Sequence, residues 1–140
     1  DRNRRTQSDP VLWRLLGDVT GLRVLDAGCG TGYLAAKLAA AGAGSVVGVD
    51  LSANMIAVAR REVGAGVTFR VDDAQTLATV PDASVDRVIS NHVWMDLPDA
   101  EAAVRATARV LAPGGFAVVV FLHPDSHCGR RHSQPSNGFW

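Results

Sequence analysis

Apolar and polar positions along this chain change rhythm several times, and each change marks an element. Val11, Leu12, Leu15, Leu16 and Val19 recur at helical spacing and predict a helix over roughly 10–19. Leu22–Asp26 is a short apolar run, read as the first strand. Leu34, Leu38 and Ala41 then mark one face of a helix that ends at Gly42. Ser45–Asp50 reads as the second strand. Ser52 can cap the next helix through its hydroxyl, with Met55, Ile56 and Ala59 on its inner face. Val67–Val71 is the third strand, followed by a short helical or irregular piece around Ala74–Ala78. The turn Pro81-Asp82-Ala83-Ser84 leads into a fourth strand, Val85–Ser90. Pro98 or Asp99 opens a helix running to about Leu111, with Glu101 four residues before Arg105 on its exposed side. Pro113-Gly114-Gly115 reads as a turn and Phe116–Leu122 as the fifth strand.

These strands are nearly continuous apolar runs, which implies burial on both faces and hence a parallel sheet covered by helices. The pattern predicts an α/β fold, a Rossmann-like three-layer sandwich. Residues 1–9 form a polar N-terminal tail and residues 124–140 a loop or tail rich in Ser, His, Arg, Pro and Gly, leaving 10–123 as the domain.

Composition changes this picture little. The chain has 140 residues, enough for one domain and one core, and its 14 basic and 14 acidic side chains cancel. No excess charge points to nucleic acid or to a membrane surface. The longest apolar run is far shorter than the ~20 residues a bilayer requires. Two cysteines, Cys29 and Cys128, without CxxC spacing, fit a reducing, cytoplasmic setting.

The chemistry concentrates in 24-VLDAGCGTGYLAAKLA-39, a strand, a glycine-rich turn and a helix start. Gly28, Gly30 and Gly32 have GxGxG spacing. A dinucleotide fingerprint is GxGxxG, and its third glycine would fall on Tyr33. Charge is the stronger objection to a dinucleotide. Asp26, two residues before the first glycine, repels a pyrophosphate and favours a ligand with a positive group. S-adenosylmethionine has an ammonium, a sulfonium and no phosphate. Asp50, ending the second strand, can accept hydrogen bonds from both ribose hydroxyls. Asp72 or Asp73 can accept one from an adenine amino group, and Leu51 and Met55 can sandwich the ring.

The blocks VLDAGCGTG (24–32), VVGVDLSANMIAVAR (46–60), VTFRVDDAQTL (67–77), VPDASVDRVISNHVWMDLPD (80–99) and RVLAPGGFAVVVF (109–121) together resemble the class I S-adenosylmethionine-dependent methyltransferases. The resemblance is to the small-molecule branch that includes the ubiquinone/menaquinone methyltransferases. It implies a strand order of 3-2-1-4-5 and methyl transfer from S-adenosylmethionine to a small-molecule acceptor. It also implies roles: Asp26, Gly28 and Gly30, with Cys29 between them, at the methionine end of the cofactor, and Asp50 on the ribose. Leu51 and Met55 flank the adenine, Asp73 faces its amino group, Ala74 offers its backbone, and Asn91 lies under the methionine moiety. His92 and Val93 follow towards the substrate.

A proton acceptor is needed only if the methyl acceptor must lose a proton. His92 and His123, just past strand ends, are the candidates, each weighed against a pocket-lining or loop role. Cys29 reads as a small buried side chain rather than a nucleophile. Trp94 and Met95 read as substrate contacts or pocket wall. His123, His127, Cys128 and His132 have ligand chemistry for zinc but no register to hold it, so no metal site is expected.

The family's sheet has seven strands, and the C-terminal hairpin is not visible in this sequence. The apolar fifth strand would then be an edge, open to self-association. Two competing functions follow. One is a non-catalytic binding module that keeps the fold. The other, disfavoured by Asp26 and the glycine spacing, is an NAD-dependent oxidoreductase.

Overall fold

The computed structural model describes residues 9–121. Five parallel strands form one sheet in the order β3-β2-β1-β4-β5. They are β1 (Arg23–Ala27), β2 (Ser45–Asp50), β3 (Thr68–Val71), β4 (Val85–Asn91) and β5 (Leu111–Val120). The helices are α1 (Asp9–Leu16), α2 (Tyr33–Ala40), α3 (Ala53–Val63) and α4 (Ala100–Val110), with a 3-10 turn at Trp94–Asp96. The strand order reverses between β1 and β4, so the crevice beyond the carboxyl ends of those two strands is where such a sheet binds ligands.

Side chains alternate across β1. Val24 joins a core with Leu12 and Leu16 of α1, Leu34 and Leu38 of α2 and Ile56 of α3. Leu25 and Ala27 point the other way, into a second core with Val88, Ala106 and Val110. Asp26 alternates with Leu25 and so shares the face of Val24. Both faces of the sheet are therefore covered, as the continuous apolar strands require.

The helix ends follow local chemistry. The Ser52 Oγ accepts from the Met55 N–H at 3.3 Å and caps α3. Asp99 caps α4 by accepting from the Ala102 N–H at 2.9 Å. Glu101 and Arg105 pair across one turn of α4 at 2.6 Å.

Several details differ from the sequence reading. The first helix begins at Asp9, which the polar tail was expected to include. Its carboxylate is buried because Tyr33 and Lys37 of α2 hold it. That helix also stops early, at Leu16: Gly17 takes a positive φ of 71° and donates its N–H to the Trp13 carbonyl at 3.1 Å. Val11 and Leu15 are exposed rather than inner. Likewise α2 ends at Ala40, Ala41 is exposed, and Met55 points to solvent while Ile56 and Ala59 are buried. The piece after β3, read as helical or irregular, is a chain of turns.

The largest difference is at β5. Pro113-Gly114-Gly115 does not end the ladder but bulges from it. Val85 pairs with Leu111 and Arg87 with Phe116, so one residue of β4 faces four of β5. Pro113 has no N–H to donate, and Gly114 takes a φ of 81°, which together let the chain loop out and rejoin the same strand. Leu122, expected in this strand, lies outside the described residues.

Candidate functional site

A cavity of about 230 Å³ opens at the carboxyl ends of β1, β2 and β4. Its floor is the glycine turn between β1 and α2. That turn is held down from one side. The Gly28 and Cys29 N–H groups both donate to the Val49 carbonyl, at 2.8 and 2.9 Å. The Gly30 N–H donates to Asp50 Oδ2 at 2.9 Å, while Asp50 Oδ1 accepts from the Ser52 N–H at 2.9 Å. Three consecutive N–H groups are thus already paired with β2. A dinucleotide site would turn such groups outward to a pyrophosphate, so this turn is built for another ligand.

Glycine is required at position 28 on two counts. Its φ is 84°, and a Cβ there would overlap Val93 Cγ2. The loop after β4 therefore closes directly onto the loop after β1. A second glycine, Gly48 in mid-β2, leaves room for the Phe69 ring, 2.7 Å from where its Cβ would be, and for Cys29 Sγ.

Charge is uneven in this cavity. Asp26 is only 2% exposed, and its Oδ2 has no hydrogen-bond partner among the described residues. Burial first, and then the nearby Asp50 carboxylate, pushes its carboxyl up to about 7, against a smaller opposing pull from the Ala35 backbone N–H. The Asn91 Oδ1, across the cavity wall at the end of β4, is also buried and without a partner among the described residues. Two orphaned oxygens lining one cavity make a strong acceptor site for a ligand carrying N–H donors or positive charge. That fits the ammonium of S-adenosylmethionine and opposes a phosphate.

Cys29 also lines the cavity, but burial and the two nearby carboxylates push its thiol up to about 12. It stays protonated and acts as packing, as its position suggested. His92 follows Asn91 with a φ of 59°, fixed by its N–H donating to the Val120 carbonyl at 2.7 Å. A non-glycine residue in the left-handed region is uncommon, and here the conformation places His92 on the cavity lining beside Val93.

The structure brings Asp26, Gly28, Cys29, Gly30, Asp50, Asn91 and His92 together in one cavity. It places Leu51, Met55, Asp73 and Ala74 outside that lining. Leu51 and Met55 are 70% and 44% exposed, just before α3 and in its first turn. Asp73 Oδ1 accepts from the Gln75 N–H at 2.8 Å, and Gln75 Oε1 accepts from the Asp99 N–H at 2.8 Å. Asp72 is buried within its own turn, where it accepts from the N–H groups of Asp73, Ala78 and Thr79 and from the Thr79 hydroxyl. This leaves Asp73, not Asp72, facing outward. Trp94 and Met95 form the 3-10 turn beyond the cavity. His123, His127, Cys128 and His132 lie outside the described residues.

Thr31, Tyr33 and Leu34 were not foreseen as cavity walls. The signal was present for one of them: Tyr33 occupies the place of the missing third glycine. Its ring lines the cavity, while its hydroxyl donates to Asp9 Oδ2 at 3.0 Å and Lys37 Nζ lies 4.6 Å from the ring centre.

Comparison with known proteins agrees with this geometry. Residues 25–119 match the family model described as a methyltransferase domain. A ubiquinone biosynthesis O-methyltransferase of Xanthomonas oryzae pv. oryzae is 40% identical over 101 residues, which is 70% of this chain and 42% of that protein. The chain therefore spans less than half the length of the curated relatives it matches. Among solved structures, an S-adenosylmethionine-dependent methyltransferase from Mesorhizobium loti superposes with a TM-score of 0.75 at 33% identity, covering 82% of this chain and 52% of that one. The [4+2]-cyclase SpnF superposes with a TM-score of 0.67 at 31% identity, covering 78% of this chain and 43% of the cyclase.

Proposed function

The chain belongs to the methyltransferase domain family, and on that premise we propose that it binds S-adenosylmethionine in the β1–β2–β4 cavity and supports methyl transfer to a small-molecule acceptor. The observation carrying this reading is the pair of orphaned oxygens, Asp26 Oδ2 and Asn91 Oδ1, above a glycine turn whose N–H groups are already paired. When bound, the cofactor supplies an electrophilic methyl group on a positively charged sulfur.

The residues of this chain then hold and shield. Asp26 and Asn91 take the ammonium end, and Asp50 takes ribose hydroxyls with the lone pairs its two backbone N–H donors leave free. Leu51 and Met55 flank the adenine, Asp73 accepts from its amino group and Ala74 offers its backbone. Val93, closed over Gly28, keeps water from the reacting end.

The named relative methylates oxygen in ubiquinone biosynthesis, so a hydroxyl acceptor on an aromatic or quinol ring is the acceptor class we assign. In that case His92 accepts the hydroxyl proton. A cytoplasmic location and self-association through β5, both expected from the sequence, belong to this proposal as parts to be tested.

Calorimetric titration with S-adenosylhomocysteine, with NADH as the control, tests the cofactor. Saturable binding of the first alone supports the reading, and binding of NADH alone overturns it. A second reading has one observation in its favour: a cyclase shares this fold at 31% identity. Transfer of labelled methyl from S-adenosylmethionine to a catechol or quinol acceptor, given the full-length protein, separates the two.

A further inference from the structure

We infer that Asp26 holds a proton when the cavity is empty and releases it when a positively charged ligand fills the cavity, so that cofactor capture is proton-linked and selective for cations. The inference rests on the cofactor reading above and names how that site is regulated.

Its basis is geometric. Asp26 is buried in mid-sheet between Gly48 of β2 and Ile89 of β4, neither of which offers it a charge or a side-chain donor. Its Oδ2 has no partner among the described residues. The Asp50 carboxylate lines the same cavity and strengthens the preference for a neutral Asp26. Two carboxylates around one enclosed space do not both ionise cheaply without a cation between them. The group titrates close to neutrality when the cavity is empty. An ammonium beside it reverses the balance, because opposite charge favours the ionised form.

The other titratable groups facing this space can be separated from Asp26. Cys29 is held as a thiol far above neutrality. Asp50 is fixed by the Gly30 and Ser52 N–H groups. Tyr33 donates its hydroxyl away from the cavity to Asp9, which Lys37 also contacts. His92 also lines the cavity, so it needs its own control.

The test is calorimetric titration with S-adenosylhomocysteine from pH 6 to pH 8.5, in buffers of different ionisation enthalpy. The expected result is release of about one proton per ligand at pH 6 and about none at pH 8.5, with affinity roughly tenfold weaker at pH 6 than at pH 8. Asp26→Asn, checked by circular dichroism for its fold, should bind more weakly and without proton release, which also removes the ligand's own ionisation from the comparison. His92→Gln should keep the release. Ligand binding with no proton released, or release that survives Asp26→Asn or vanishes in His92→Gln, overturns the inference while leaving the cofactor reading intact. No binding at any pH overturns both.

Discussion

The two ends of the candidate site are built on opposite principles. At the Asp26 end, polar oxygens are buried and left without partners. At the Asp73 end, the polar groups are paired within the protein and the apolar ones, Leu51 and Met55, are left in solvent. The first end is costly to keep empty, because each unpartnered buried oxygen carries a desolvation penalty. The second costs little when empty and gains mainly by covering apolar surface. Binding energy should therefore concentrate at the Asp26 end, and the adenine end should tune affinity by small amounts.

The largest expected effect breaks the first end. Asp26→Leu keeps the branched shape and heavy-atom count of the side chain and removes the carboxylate. It should weaken S-adenosylhomocysteine by about 100-fold, the range for losing a hydrogen bond to a charged group. Retained affinity would show that the orphaned oxygen is not a ligand contact.

The same residue predicts an inverted stability profile. Its carboxyl titrates higher in the fold, about 7, than its ordinary value of 3.8. The folded state therefore holds the proton more tightly than the unfolded chain. This favours folding at acid pH, and the advantage disappears as pH rises from about 4 to 7. For this group alone, ligand-free protein should lose on the order of 2–4 kcal/mol across that window. Urea melts at pH 5 and pH 8, with wild type and Asp26→Asn compared, would read the difference, which should shrink when ligand is added.

Next in size is the wall between the loops. Gly28→Ala combines a positive φ with overlap on Val93 and should cost about 2–3 kcal/mol in urea unfolding. The double variant with Val93→Ala should recover part of it. Additive losses would mean that the two loops do not touch.

The smallest effect belongs to the other end. Asp73→Ala should lower affinity less than tenfold, since the carboxylate is partly exposed and already hydrogen-bonded to Gln75. A loss as large as that of Asp26→Leu would erase the contrast between the ends.

The strand sequence, the helix cap at Ser52 and the acid before the glycine turn were all legible, because each depends on residues close together in the chain. The strand order came through the resemblance of five linked blocks and is the order observed. What stayed hidden depends on partners far apart. Nothing near Gly28 announces Val93, 65 positions later, which only the pairing of β1 with β4 brings close. Asp9 reads as tail polarity until Tyr33 and Lys37 are placed beside it. Helical spacing showed that Met55 lies near a buried stripe but not that the stripe is narrow enough to leave it outside. At β5, the Pro-Gly-Gly signal correctly marked a break in the ladder. Only the register on β4 shows that the strand resumes after it.

The anchoring of the glycine turn to Val49 and Asp50 also has a kinetic meaning. The turn joins the sheet's own hydrogen-bond system, so its amide protons should exchange with solvent on the slow timescale of core strands rather than of surface loops. A ligand arriving at this end meets a wall already set when the sheet formed. Little chain freedom is lost on contact, and arrival should be limited by diffusion and orientation rather than by a wait for the loop to settle.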